Sequence, residues 1–111
     1  MKKDDSVYLH HIMDAISRIE EYTRAVKRQD FIGGHMVQDA VMRQIEIIGE
    51  ATKRLSKELR DKRPEIPWKD MAGLRDKLIH GYFGVDLDAV WDTVERDIPQ
   101  LKRKLKGLVE S

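Results

Sequence analysis

An arginine, a histidine five positions later and a tyrosine two beyond that (Arg75, His80 and Tyr82) are the residues of this chain whose types and spacing could do chemistry. They fall within Leu74-Arg75-Asp76-Lys77-Leu78-Ile79-His80-Gly81-Tyr82. A planar guanidinium can hold two oxygens of one phosphate through paired hydrogen bonds. Histidine, with an ordinary pKa of about 6.5, takes up and releases protons at neutral pH. The pair therefore suits acid–base work on an anionic substrate.

The geometry of a helix makes the stretch unusual. At about 100° per residue, a helix starting at Trp68 puts Trp68, Met71, Leu74, Leu78 and Tyr82 on one apolar arc, with Arg75 inside that arc. A buried guanidinium without a partner costs several kcal/mol, so Arg75 is expected to face an anion or line a cleft. His80 lies roughly 140° around the helix and about 7 to 8 Å along it from Arg75, so one regular helix does not aim both at a single atom. A helix end at Gly81 would relieve the mismatch, and so would a second copy of the chain across a two-fold axis. Asp76, next to Arg75, is a possible orienting group, and Glu50 is a candidate for the same cleft. A purely structural alternative stays open: His80-Gly81 as a helix end, Arg75 paired internally with Glu50 or Asp76, and Tyr82 as a packing aromatic.

The elements that must position these residues are helical. Ser6, beside Asp4 and Asp5, reads as the cap of a first helix running to about Lys27, with Leu9, Ile12, Met13, Ile16, Ile19 and Val26 at helical spacing. Arg28 to Gly34 breaks the pattern, with Phe31 and Ile32 placed to plug one end of the core. A second helix from about His35 to Leu59 carries a stripe of Val37, Val41, Ile45, Ile48, Leu55 and Leu59, widened by Met36, Ala40, Ile47 and Ala51 to nearly half the circumference. Within it, Gly49 leaves room for another backbone to approach. Pro67 suits the first turn of the third helix. Asp86 is placed to cap a fourth, built on Leu87, Val90, Trp91, Val94 and Ile98, which Pro99 is expected to kink or break. Leu101, Leu105 and Leu108 continue as a basic amphipathic segment. The fold class expected is all-α, a single domain over residues 1–111 forming an antiparallel bundle of four to five helices.

Composition narrows the function classes. With 41% apolar and 37% charged residues, three prolines and no cysteine, the chain reads as a helical protein without disulfides or thiolate metal sites, suited to the cytoplasm. No unbroken apolar run follows the amino terminus, so neither signal peptide nor membrane span is expected. Twenty-one basic against twenty acidic residues give a net charge of +1, too small to announce nucleic-acid binding by composition. Any such affinity must come from local patches: Lys53, Arg54, Lys57, Arg60, Lys62 and Arg63, or Lys102, Arg103, Lys104 and Lys106. The plainer reading of both is helix-terminal cations on solvated faces. His10 and His11 are adjacent and cannot share a metal as an i, i+4 pair could, and His35 has no partner at ligand spacing. No metal site and no cofactor are expected.

The Arg75, His80, Tyr82 spacing resembles the signature of the HEPN superfamily, and specifically of HepT-like ribonuclease toxins. The likeness continues in Ile47-Ile48-Gly49-Glu50-Ala51, in Ile66-Pro67-Trp68, in Val90-Trp91 and in Asp97-Ile98-Pro99, and so covers nearly the whole chain. The resemblance implies a dimeric, HEPN-like, metal-independent endoribonuclease with Arg75 and His80 as active residues. It also implies membership of a type VII toxin–antitoxin pair, in which an MNT-type nucleotidyltransferase antitoxin adenylylates Tyr82. The RNA substrate, the antitoxin and a second copy of the chain are the expected partners. A reading from a different class is a non-catalytic helical subunit that docks a minimal nucleotidyltransferase and helps bind its substrate or nucleotide.

Overall fold

Three long helical stretches, laid side by side, carry the core of the molecule. The computed structural model describes residues 2–79 and 84–110, and the described residues form an all-α bundle. Helix α1 spans Lys3–Thr23 and α3 His35–Lys53. The third stretch is built from α7 (Leu87–Asp92), a π-helical turn (Thr93–Asp97) and α8 (Ile98–Glu110). Leu9, Ile12, Ile16 and Ile19 of α1 pack with Val41, Ile45 and Ile48 of α3 and with Ile98, Leu101, Leu105 and Leu108 of α8, all buried. These are the i, i+3, i+4 positions that an amphipathic helix turns inward.

The direction of the helices follows from polar contacts at their ends. The carboxylate of Asp5, near the start of α1, accepts hydrogen bonds from the backbone N–H and the hydroxyl of Ser56 at 2.8 and 2.6 Å. Ser56 lies just beyond the end of α3, so α1 and α3 run antiparallel. Lys102, early in α8, reaches Glu20, late in α1, at 3.0 Å, and α8 therefore also runs against α1. Asp5 is buried, and α1 begins with Lys2 as its cap residue. The expected cap at Ser6 is thus corrected: the acidic residue before it is drawn inward to hold the neighbouring helix.

Ser56 also ends the expected second helix early. Its hydroxyl accepts from the backbone N–H of Leu59 at 3.1 Å, capping a separate helix α4, Lys57–Lys62. Leu55 and Leu59 are buried as their stripe required, whereas Met36 is 88% exposed and lies off it. A short helix α2, Arg28–Ile32, occupies the expected break. Its Phe31 is fully buried with its ring centroid 5.3 Å from that of Trp91, while Ile32 stays on the surface. Arg28 ties α2 to α7 by pairing with Asp88 and Asp92.

The connection after α4 is fastened at Arg63. Its carbonyl accepts from the indole N–H of Trp68 at 3.0 Å, and its guanidinium bonds Glu65 at 2.8 Å, which holds the Glu65 carboxyl below its usual range. Helices α5 (Trp68–Ala72) and α6 (Leu74–Leu78) follow, separated at Gly73. Asp86 caps α7 through the backbone N–H of Ala89 at 3.0 Å. Pro99 does not break the last stretch. The π-helical turn immediately before it absorbs the missing donor and the ring's bulk within a continuous helical path. No helix among the described residues is long and apolar enough to cross a membrane.

Removing the Asp5 carboxylate leaves the Ser56 N–H and hydroxyl without their acceptor in a part-buried place. Asp5→Ala should therefore lower stability by about 1–3 kcal/mol, seen as a lower urea midpoint with an unchanged slope. An unaltered midpoint would show that this tie contributes nothing to the α1–α3 pairing.

Candidate functional site

The site begins with the local bend between α5 and α6. Gly73, with φ −96° and ψ 7°, departs from helical dihedrals and redirects the chain. Leu74 and Leu78 of α6 are buried, as Trp68 and Met71 of α5 are. Arg75, between the two leucines, instead keeps half its side chain exposed, at 51%. The single continuous helix expected from Trp68 is therefore corrected, and with it the placement of Arg75 inside an apolar arc. The bend keeps the leucines inside while the guanidinium emerges beside α3.

Arg75 does face an anion. Its Nε lies 3.4 Å from a carboxylate oxygen of Glu46 on α3, and an Nη lies 3.9 Å from Asp76. Glu46, missing from the sequence-derived candidates, sits next to the buried Ile45 at the edge of the α3 stripe. One signal could have found it: it stands one turn before Glu50 on the same helix. Glu50 itself is exposed and pairs with Lys53 at 3.5 Å. The structure thus brings Arg75, Asp76 and Glu46 together and sets Glu50 one turn farther along α3. His80 and Tyr82 lie outside the described residues. The residues on either side of 80–83 are joined to each other: Ile79 and Val85 form an isolated antiparallel bridge, and the N–H of Asp86 donates to the carbonyl of Leu78 at 2.9 Å.

Several hollows flank this region. A groove of about 350 Å³ runs between α1 and α3, with Tyr8, His11 and Glu46 among its lining residues. A cleft of about 540 Å³ lies between α5–α6 and α8, lined by Lys69, Lys77 and Lys104 together with Asp70 and Asp97. Of the basic patches, Lys53, Lys57, Lys62, Arg63 and Lys102 each pair with a carboxylate. For these five the plainer reading, solvated helix faces, fits what is seen. Of the histidine pair, His10 bonds the carbonyl of Ser6 at 2.7 Å, and His11 meets Tyr8 edge to face. No group of three or more potential metal ligands is found among the described residues.

Comparison with known proteins gives a consistent likeness. A family model described as "Ribonuclease HepT-like" matches residues 12–108. A protein of Thermococcus cleftensis named "Probable ribonuclease HepT" is 49% identical over 97% of this chain and 98% of its own length. A "Putative RNase" of Caldanaerobacter subterraneus subsp. tengcongensis is 41% identical over 93% of this chain and 92% of its own. The "Gamma-glutamylcyclotransferase and putative RNase" of Methanocaldococcus jannaschii is 50% identical over 99% of this chain, which spans 50% of that protein's length. No solved structure matches the chain.

The Glu46–Arg75 pair is too exposed to matter much for folding. Pairs of this kind contribute at most about 1 kcal/mol, so Glu46→Gln should leave the urea midpoint within that margin. A loss of several kcal/mol would make Glu46 a structural residue and remove it from the site.

Proposed function

The chain belongs to the HepT-like ribonuclease family, and we propose that it is an endoribonuclease that cuts RNA without a metal ion, with Arg75 and His80 as its active residues. The observation that carries the reading is the state of Arg75. Between two buried leucines, its side chain is half exposed and tethered through Nε to Glu46, with guanidinium donors left over for a phosphate. In this mechanism a base removes the ribose 2′-hydroxyl proton, O2′ attacks phosphorus, and the P–O5′ bond breaks as an acid protonates O5′. The products are a 2′,3′-cyclic phosphate and a 5′-hydroxyl. Arg75 stabilises the charge gathering on the non-bridging oxygens, and His80 exchanges the proton.

One histidine cannot serve as base and acid within a single concerted step, which favours a dimer that supplies two copies of the motif to one cleft. Asp76 fits a supporting role beside Arg75, at 3.9 Å. Glu50 is the weaker candidate, since it pairs with Lys53 rather than Arg75. The toxin reading follows the same line: a cognate MNT-type nucleotidyltransferase antitoxin transfers AMP to the hydroxyl of Tyr82. The added phosphodiester then competes with RNA for the guanidinium. The cytoplasm is the compartment that fits such a pair.

Purified protein incubated with RNA in excess EDTA should release fragments ending in 2′,3′-cyclic phosphate. Arg75→Ala and His80→Ala should each lower the rate by about 10²-fold or more while leaving the helical circular dichroism unchanged. Cleavage that survives both substitutions, or that EDTA abolishes, would sink this mechanism. A folded wild type that cuts no RNA yet binds a nucleotidyltransferase would favour the non-catalytic subunit.

The tyrosine proposal has a separate test. Co-expression with a cognate nucleotidyltransferase should add one or more adenylyl masses to the peptide holding Tyr82, and Tyr82→Phe should prevent it. Full neutralisation with an unmodified peptide would mean inhibition by occlusion.

A further inference from the structure

The groove between α1 and α3 carries charges that are unevenly spent. Two acidic and two basic side chains line it: Glu46 and Glu50, Arg43 and Arg54. Both carboxylates are engaged by cations, Glu46 by Arg75 at 3.4 Å and Glu50 by Lys53 at 3.5 Å. Neither Arg43 nor Arg54 pairs with a carboxylate among the described residues, and both are exposed. Elsewhere on the surface Lys57, Lys62, Arg63 and Lys102 have an acidic partner, whereas Lys69 and Lys77, beside the second cleft, form no ion pair among the described residues. A nominally balanced groove thus presents two uncommitted guanidiniums. They stand eleven positions apart along α3 and its cap, about 16 Å by helical rise.

The opposite wall is aromatic. Tyr8 and His11 of α1 meet with ring centroids 6.0 Å apart and planes at 80°, an edge-to-face contact that does not use both faces of either ring. The exposed imidazole of His11 beside two guanidiniums is what single-stranded nucleic acid can use. Bases stack on aromatic side chains irrespective of sequence while cations hold the backbone. The volume of about 350 Å³ falls at the small end of ligand pockets. Glu46 belongs to this groove and is also the ion-pair partner of Arg75, so the groove opens onto the cleavage site.

We infer that the α1–α3 groove is a substrate subsite that binds single-stranded RNA beside the scissile phosphate, with Arg43 and Arg54 holding phosphates and His11 stacking a base. The inference rests on the ribonuclease reading of Arg75 and His80, and its test is arranged to separate the two.

The experiment measures binding of a fluorescent single-stranded RNA oligonucleotide to His80→Ala, which removes turnover, as a function of salt. Arg43→Gln and Arg54→Gln, each added to this background, should weaken binding. Each should also reduce the slope of log affinity against log salt by about 0.7, the value for one phosphate contact on a single strand. His11→Ala should lose about five-fold or more in affinity. Lys106→Gln, an exposed position on α8 outside the groove, is the control and should bind as the parent does. A double-stranded RNA of equal length should bind more weakly and respond less to His11→Ala.

In the cleaving protein the two arginine substitutions should raise KM with little change in kcat. Unchanged affinity and salt slope in both arginine variants would overturn the subsite, even if Arg75 and His80 prove essential for cleavage. A change in molar mass by light scattering in these variants, with RNA affinity unaltered, would also overturn it and assign the groove to a second copy of the chain. Wild-type protein that neither cuts nor binds RNA would overturn the parent reading instead.

Discussion

The close approach of α3 to the end of α5 is the constraint on which the candidate site depends. A Cβ placed on Gly49 would stand 3.3 Å from the carbonyl oxygen of Ala72 and 3.7 Å from that of Met71. Two backbones meet here with nothing larger than hydrogen between them, which fixes where α5 ends. Gly73 follows at once, turns the chain and starts α6. From that bend, Leu74 and Leu78 reach the core, and Arg75 is left beside α3 at the level of Glu46. A longer side chain at position 49 would move α5 outward, and the guanidinium would move with it.

The strength of the Glu46–Arg75 contact suits the phosphate-binding role proposed for Arg75. Were the pair buried, breaking it would strand a charge at a cost of several kcal/mol, and an incoming phosphate would have to repay that. At 51% and 38% side-chain exposure the pair is well screened. A phosphodiester, which can accept two parallel hydrogen bonds from the guanidinium, can compete with so screened a carboxylate. Glu46 can then keep the Nε edge while the remaining donors turn to the ligand. This is positioning without commitment, and it holds the long arginine side chain at a smaller entropic loss on binding.

How much of this was legible in the sequence differs by element. The buried stripes of α1 and α3, the cap at Asp86, the tight approach at Gly49 and the burial of Phe31 follow from residue type and period. Helix boundaries did not, because they were decided by partners distant in sequence. Ser56 ends one helix and caps another while bonding Asp5, fifty-one positions away. The apolar stripe runs straight through Leu55 and Leu59 regardless, so periodicity alone joins two helices into one. Gly73 is similar: the apolar period continues across it, and only the dihedral change shows that Arg75 leaves the arc. Glu46 was marked only by its place one turn before Glu50, because an acidic residue at the edge of a stripe is ordinary until the facing helix is known. Pro99 misled in the other direction, since a wider helical turn can absorb what an α-helical turn cannot.

The near-neutral charge of the chain, +1, is a poor guide to its electrostatic surface for a related reason. Binding of a polyanion depends on which cations lack a competitor, and that is a property of spacing on helices. Lys57 and Lys62 have acidic residues four positions away, Asp61 and Glu58, and the i, i+4 geometry pairs them. Lys53 has Glu50 three positions away. Glu46 and Glu50 stand at helical spacing from Arg43 and Arg54 too, but each is drawn to another cation, Arg75 and Lys53. The packing of α6 against α3 therefore does two things at once. It fixes the guanidinium of Arg75, and by occupying Glu46 it removes a carboxylate that would otherwise neutralise the neighbouring groove. A fold that balances its charges in number can in this way leave them unbalanced in space.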